Sequence, residues 1–150
     1  MSNIKLNKIF KTACIASDHA GYKLKEDIKN YLIDKKMSVF DIGPYNDNSV
    51  DYPDYAKKLG NRIKLKKSNV GILVCGSGTG MAISANKIKT IRAAVCYNLK
   101  STRLSRQHNN ANIMALGARF TNKKLSLKLV ETFLKTKFEG GRHLRRVKKI

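Results

Sequence analysis

Apolar residues recur along this chain in two alternating rhythms. Short unbroken runs, Thr12 to Ser17 and Val70 to Cys75 above all, predict strands covered on both faces of a parallel sheet. Between such runs, apolar positions three and four apart predict helices. Over residues 21–36, Leu24, Ile28, Tyr31 and Leu32 share one face; over 122–137, Leu125, Leu129, Val130, Phe133 and Leu134 do. Ser38 to Ile42, Arg92 to Cys96 and Ile113 to Leu116 bring the predicted strands to five, and 54–67, 80–87 and 101–110 supply the remaining helices. The expectation is an α/β protein, a Rossmann-like three-layer α/β/α sandwich with a five-stranded parallel sheet. No repeat or linker divides it, so residues 1–150 are expected to form a single domain, with 1–11 an N-terminal extension and 139–150 a basic C-terminal tail.

The strand at Val70 runs straight into Cys75-Gly-Ser-Gly-Thr-Gly80. Glycines at 76, 78 and 80 let the backbone turn sharply and bring its amides close to a ligand. Amides at the mouth of a helix attract an oxyanion or a phosphate. The spacing is neither G-x-G-x-x-G, since Met81 stands where the third glycine belongs, nor a P-loop, since no Gly-Lys-Ser/Thr follows. Cys75 falls on the last strand residue, where open α/β sheets bind ligands. A potential base beside an oxyanion hole suggests proton transfer, whereas a tight turn with an inert thiol is the plainer alternative.

Composition narrows the setting. Hydrophobic residues make 42% and charged residues 27%, ordinary globular usage rather than disorder. The apolar runs are far too short to span a bilayer, and the basic start (Met1 to Phe10) is broken by Lys8, so a cytoplasmic protein is expected. Cys14, Cys75 and Cys96 form no CxxC pair, which argues against a disulfide framework or a zinc site. The formal charge of +21 favours acidic partners, including phosphorylated metabolites. It is mostly lysine scattered along helices and tails, with no aromatic-basic interleaving, so no specific nucleic-acid role is expected.

Polar groups gather beside the predicted strand ends: Asp18 and His19 after the first, Cys75 to Thr79 after the third, His108 and Asn109 before the fifth, Arg119 after it. Arg142, His143, Arg145 and Arg146 follow in the tail. Six segments occur in order: Ala16-Ser-Asp-His-Ala-Gly21, Asp51-Tyr-Pro-Asp-Tyr-Ala56, Cys75-Gly-Ser-Gly-Thr-Gly80, Ser105-Arg-Gln-His-Asn109, Leu116-Gly-Ala-Arg119 and Glu139-Gly-Gly-Arg-His143. Across roughly Thr12 to Val147 this series resembles ribose-5-phosphate isomerase type B, a family shared with galactose-6-phosphate isomerase subunits.

The resemblance implies interconversion of D-ribose 5-phosphate and D-ribulose 5-phosphate without metal or organic cofactor. It makes Cys75 the base that moves a proton between carbons 1 and 2. A second branch of the family uses a glutamate at the position of Thr79, so the cysteine and threonine here place the chain in the first branch. Ser77 stands where many relatives carry threonine. The family forms dimers or dimers of dimers with active sites across the subunit interface, so a homodimer or homotetramer is expected. The residue chemistry agrees: the amides of Gly76, Gly78, Thr79 and Gly80 and the Ser77 hydroxyl suit an enediolate oxyanion. His108 suits ring opening near neutral pH, with Asn109 positioning hydroxyls, and Asp18 suits proton shuttling among them. Arg142 and Arg146, at i and i+4, can face one phosphate, with His19 and Arg119 as further anion ligands, while His143 and Arg145 point elsewhere on that helix. Tyr52 is expected to line the pocket. The alternatives are a six-carbon sugar-phosphate isomerase (allose or galactose 6-phosphate) and a non-catalytic nucleic-acid or anion-binding protein.

Overall fold

The computed structural model describes residues 9–150, so most of the expected 1–11 extension lies outside the described residues. Five apolar runs form strands: β1 (Thr12–Ser17), β2 (Ser38–Gly43), β3 (Val70–Cys75), β4 (Ala93–Val95) and β5 (Ile113–Gly117). All pairings are parallel and the order across the sheet is β2-β1-β3-β5-β4. Of the three interior strands, β3 and β5 are buried at every residue, as unbroken runs should be, while the edge strand β2 is buried only at Gly43.

Six helices intervene or follow: α1 (Tyr22–Asp34), α2 (Tyr52–Lys64), α3 (Thr79–Ala85), α4 (Leu99–Asn109), α5 (Lys123–Lys135) and α6 (Arg142–Val147). On one face Leu24, Ile28 and Leu32 of α1 and Leu129, Val130, Phe133 and Leu134 of α5 pack against Ile15, Ile72, Val74, Met114 and Leu116. On the other, Ala56 and Leu59 of α2 and Met81 and Ala85 of α3 cover Ala16, Leu73, Ile113 and Ala115. The three-layer sandwich is as expected. Two helices begin two residues earlier than their patterns predict. At α2, Pro53 occupies the first turn, where a missing N–H costs nothing. At α4, the Asn98 side chain accepts the Ser101 amide at 2.8 Å and starts the helix.

Two cations inside the molecule shape its loops. Lys25 is fully buried, and its Nζ donates to Asp41 Oδ1 at 2.9 Å and to the Pro44 carbonyl at 2.8 Å, fixing the chain beyond β2 against α1. Arg106 is also buried, with its guanidinium near the Phe10 and Phe133 rings and donating to the carbonyls of Ala111 and Thr136 and to Asn110 Oδ1. Burial pushes its pKa down to about 10, with the Arg92 charge adding to the effect, so it remains a cation at neutral pH. Thus the end of α4, the start of β5 and the end of α5 meet at one side chain.

Candidate active site

The chain leaves β1 toward β2 on one side and leaves β3 toward β4 and β5 on the other, while β1 and β3 are neighbours. That reversal opens a crevice at their carboxyl ends, the usual ligand position in such sheets. The turn after β1 is pulled against β3: the Asp18 amide donates to the Val74 carbonyl at 3.1 Å, and Asp18 Oδ1 accepts the Gly21 amide at 2.9 Å. Asp18 therefore closes the turn leading into α1. Gly21 itself occupies the N-cap, with no side-chain bond there. His19 is exposed, and its Nδ1 accepts the Val50 amide at 3.3 Å, joining this turn to the segment before α2.

Cys75 ends β3 with its side chain on the α2–α3 face, 4% exposed. The Gly78 amide donates to its Sγ at 3.1 Å. Gly78 has φ 81°, and a Cβ there would lie 3.0 Å from the Leu116 carbonyl carbon, so only glycine closes this loop against β5 without strain. Amides just beyond β5 hold the loop from behind, Ala118 N–H to the Cys75 carbonyl at 2.8 Å and Arg119 N–H to the Gly76 carbonyl at 3.1 Å. The Arg119 guanidinium lies over Gly76, and the Tyr52 phenol lies against Gly80. Ser77 and Thr79 are exposed, with Ser77 Oγ accepting the Thr79 amide at 3.3 Å. Beside them a cavity of about 440 Å³ opens between Ser77, Thr79, Tyr97 and Phe120, in the size range of small-molecule sites. Tyr97 and Phe120 are both largely exposed at its rim.

The other two thiols are different in kind. Burial pushes Cys14 up to about 12 and Cys96 up to about 11, so both stay protonated and inert. Cys14 sits in the middle of β1.

One chain does not bring all the predicted residues together. Asp18, His19, Tyr52, Cys75, Gly76, Ser77, Gly78, Thr79, Gly80 and Arg119 gather at the carboxyl ends of the strands. His108 and Asn109 end α4, which runs back to the amino-terminal edge of the sheet, where Arg92 Nε donates to the Asn109 carbonyl at 3.1 Å just before β4. Gly71 pairs with Ile113 at that edge and Cys75 with Gly117 at the opposite one. Four residue steps at ~3.3 Å put the two groups roughly 13 Å apart along the strands alone.

Arg142 and Arg146 belong to α6, which packs against α4 and therefore joins the second group. So do His143, which helical phase directs elsewhere, and Glu139, to which the sequence assigns no role. His143, 8% exposed, stacks on His108 with ring centroids 4.1 Å apart and planes 11° from parallel. Glu139 Oε2 lies 3.7 Å from His143 Nε2 and 4.0 Å from His108 Nε2. Burial pushes the His143 pKa down, and the charges of His108 and Arg142 push the same way. These three side chains carry the donor atoms of a metal site. In stacked, parallel rings, however, the in-plane lone pairs point side by side rather than at one ion, and coordination would require unstacking.

Residues 13–150 match the family model described as Ribose/Galactose Isomerase. A putative sugar phosphate isomerase of Rickettsia bellii is 50% identical over 136 residues, covering 91% of this chain and 94% of that one. The crystal structure of a ribose 5-phosphate isomerase from Thermotoga maritima superposes with a TM-score of 0.91 at 51% identity, covering 92% and 95% of the two chains. A Mycoplasma genitalium ribose-5-phosphate isomerase B with bound ribulose-5-phosphate superposes at 0.87, with 44% identity and 92% of each chain covered. The chain belongs to the ribose/galactose isomerase family.

Proposed function

We propose that this protein interconverts D-ribose 5-phosphate and D-ribulose 5-phosphate through an enediolate, with Cys75 as the base. The observation that carries this is the Cys75 thiol, held by the Gly78 amide at the mouth of a glycine loop in the β1–β3 crevice. The Mycoplasma genitalium relative with ribulose-5-phosphate bound supports the choice of sugar.

Ribose 5-phosphate is mostly a closed furanose, so the C1–O4 bond must break first. A proton is delivered to O4, the C1 hydroxyl gives up its own, and the open aldehyde results. Cys75 then takes the proton from C2, charge develops on O1, and the amides of the glycine loop and the Ser77 hydroxyl receive it. The same proton returns to C1, while the O2 proton passes to O1 with Asp18 as the carrier. Nothing in this sequence requires a cofactor.

His108, Asn109, Arg142 and Arg146 reach a thiol only if a second copy of the chain presents its α4 end and α6 to this crevice. In that homodimer, or a tetramer built from it, His108 opens the ring, Asn109 orients hydroxyls, and Arg142 and Arg146 grip the phosphate with His19 and Arg119. The exposed Tyr97 and Phe120 at the rim suit such a contact. Three free thiols suit a reducing compartment, the cytoplasm.

The test is ribulose 5-phosphate formation by the purified protein, with chelator present, beside Cys75→Ala. Turnover that falls by ~10²–10⁴ in a folded variant supports the reading; undiminished turnover removes Cys75 as the base. A folded wild type inactive on ribose 5-phosphate but active on a six-carbon sugar phosphate would move the substrate, not the mechanism.

A further inference from the structure

Glu139 and His143 take no part in the reaction just described, yet they form the immediate surroundings of His108. Three observations connect them. The Glu139 amide donates to the Gln107 carbonyl at 3.1 Å, tying the segment before α6 to the last turn of α4. Gly140 and Gly141, with φ of 65° and 53°, then turn the chain so that α6 starts at once and lays His143 on His108. His143 is buried, whereas the His108 side chain is 37% exposed, so the inner ring forms a floor and the outer one faces a ligand.

The electrostatics are one-sided. α6 brings Arg142 and Arg146 beside the rings, and α4 carries Arg106 two positions before His108. Among the described residues, Glu139 is the one carboxylate within ion-pair distance of either imidazole. Two stacked imidazoles do not both hold an extra proton easily. Burial presses the inner ring, His143, toward its neutral form, and the carboxylate lies 4.0 Å from the outer one.

We propose that Glu139 and His143 are positioning residues for His108: the stacked ring fixes its plane, and the carboxylate balances its protonated form, the acid that opens the sugar ring. This rests on the reading of His108 as the ring-opening group. It separates ring opening from proton transfer at carbon 2, and the substrates themselves allow that separation to be measured. Ribulose 5-phosphate has its C5 hydroxyl esterified and forms no furanose, so the reverse reaction starts from an open chain. Its aldehyde product can close in water after release.

The experiment measures steady-state rates in both directions for Glu139→Gln, His143→Phe and His108→Asn. His143→Phe keeps a flat ring in the stack, and Glu139→Gln keeps the shape without the charge. Expected is a loss of about tenfold in ribose 5-phosphate consumption for each positioning variant, part of the span of a general acid, with ribulose 5-phosphate consumption changed about twofold or less. Glu139→Gln added to His108→Asn should cost nothing further, because it acts through that residue. Equal losses in both directions, no loss in either, or full additivity with His108→Asn would overturn the proposal. If His108→Asn alone keeps its forward rate, the ring-opening reading itself falls; if it is slow while the other two are not, only the positioning role does.

Discussion

Gly21 and Val74 leave no space for a side chain between them: a Cβ on Gly21 would stand 2.3 Å from the Val74 carbonyl oxygen. That contact presses the turn after β1 onto the last residues of β3 and so sets Asp18 beside Cys75. Gly21→Ala must push backbone from backbone, and the expected loss is about 3 kcal/mol or more. Gly140→Ala meets nothing within 4 Å and carries only the strain of φ 65°, about 1 kcal/mol. Urea unfolding of the two variants checks the contrast.

Subunit mixing tests the divided site. Assayed on ribose 5-phosphate, Cys75→Ala and His108→Asn chains are each expected to keep only a small residual rate alone. Unfolded together and refolded, they should recover about a quarter of wild-type activity, because half of the dimers are mixed and each of those holds one intact site. Recovery near zero would mean that thiol and imidazole serve from the same chain.

The pair of acids around Lys25 predicts a response to acid. Burial pushes the Asp41 carboxyl up, but hydrogen bonds from Lys25, Lys29 and the Gly43 amide outweigh it and leave the pKa below the ordinary value; Glu26 is lowered by the same two lysines against its own burial. Both groups are depressed in the folded protein, so their contribution is complete above the unfolded carboxylate range, ~4, and is lost as pH falls through the folded values. Asp41→Asn should cost about 3 kcal/mol at pH 7, since it leaves the fully buried Lys25 short of a partner, and should flatten the loss of stability below roughly pH 4. Thermal unfolding from pH 3 to 7, on the order of the carboxylate titration range, measures both effects.

Alkylation should discriminate among the thiols. With pKa values pushed to about 12 and about 11, Cys14 and Cys96 are expected to stay unlabelled by iodoacetamide in the folded protein at neutral pH. Inactivating label should map to Cys75 by peptide mass spectrometry and should slow when ribose 5-phosphate is present. Inactivation with label on Cys96 instead would place the reactive thiol beyond β4, outside the glycine loop.

The layers and the glycine loop were legible because both follow from local rules. Unbroken apolar runs make central strands, and a G-x-G-x-G run after one of them has few uses besides holding an anion or a sulfur. Helix starts at Tyr52 and Leu99 were missed because Pro53 and Asn98 act through geometry that periodicity does not weigh. Lys25 and Arg106 in the interior contradict what charge suggests, since each depends on acceptors distant in sequence. Helical phase relative to Arg142 and Arg146 directs His143 away from the phosphate and says nothing of His108, on which it stacks. Which face of α6 docks is decided by the Gly140–Gly141 turn and the end of α4, neither of which spacing reports. A signal for the divided site did exist: a helix between parallel strands must run backwards, so residues at its end lie away from the strand ends that hold the thiol.

The strand order has a consequence for how the molecule comes into being. β4 pairs with β5 alone, and β5 lies between it and β3. As the chain emerges from the ribosome, β1, β2 and β3 can zip together in the order they are made. Residues 93–95 must then wait, unpaired, until 113–117 follow and slide into the gap. Arg106 waits longer still, for the Thr136 carbonyl. The strand that ends in the thiol is thus paired early with β1, its loop is held in place once Ala118 and Arg119 arrive, and the end that carries His108 and His143 closes last.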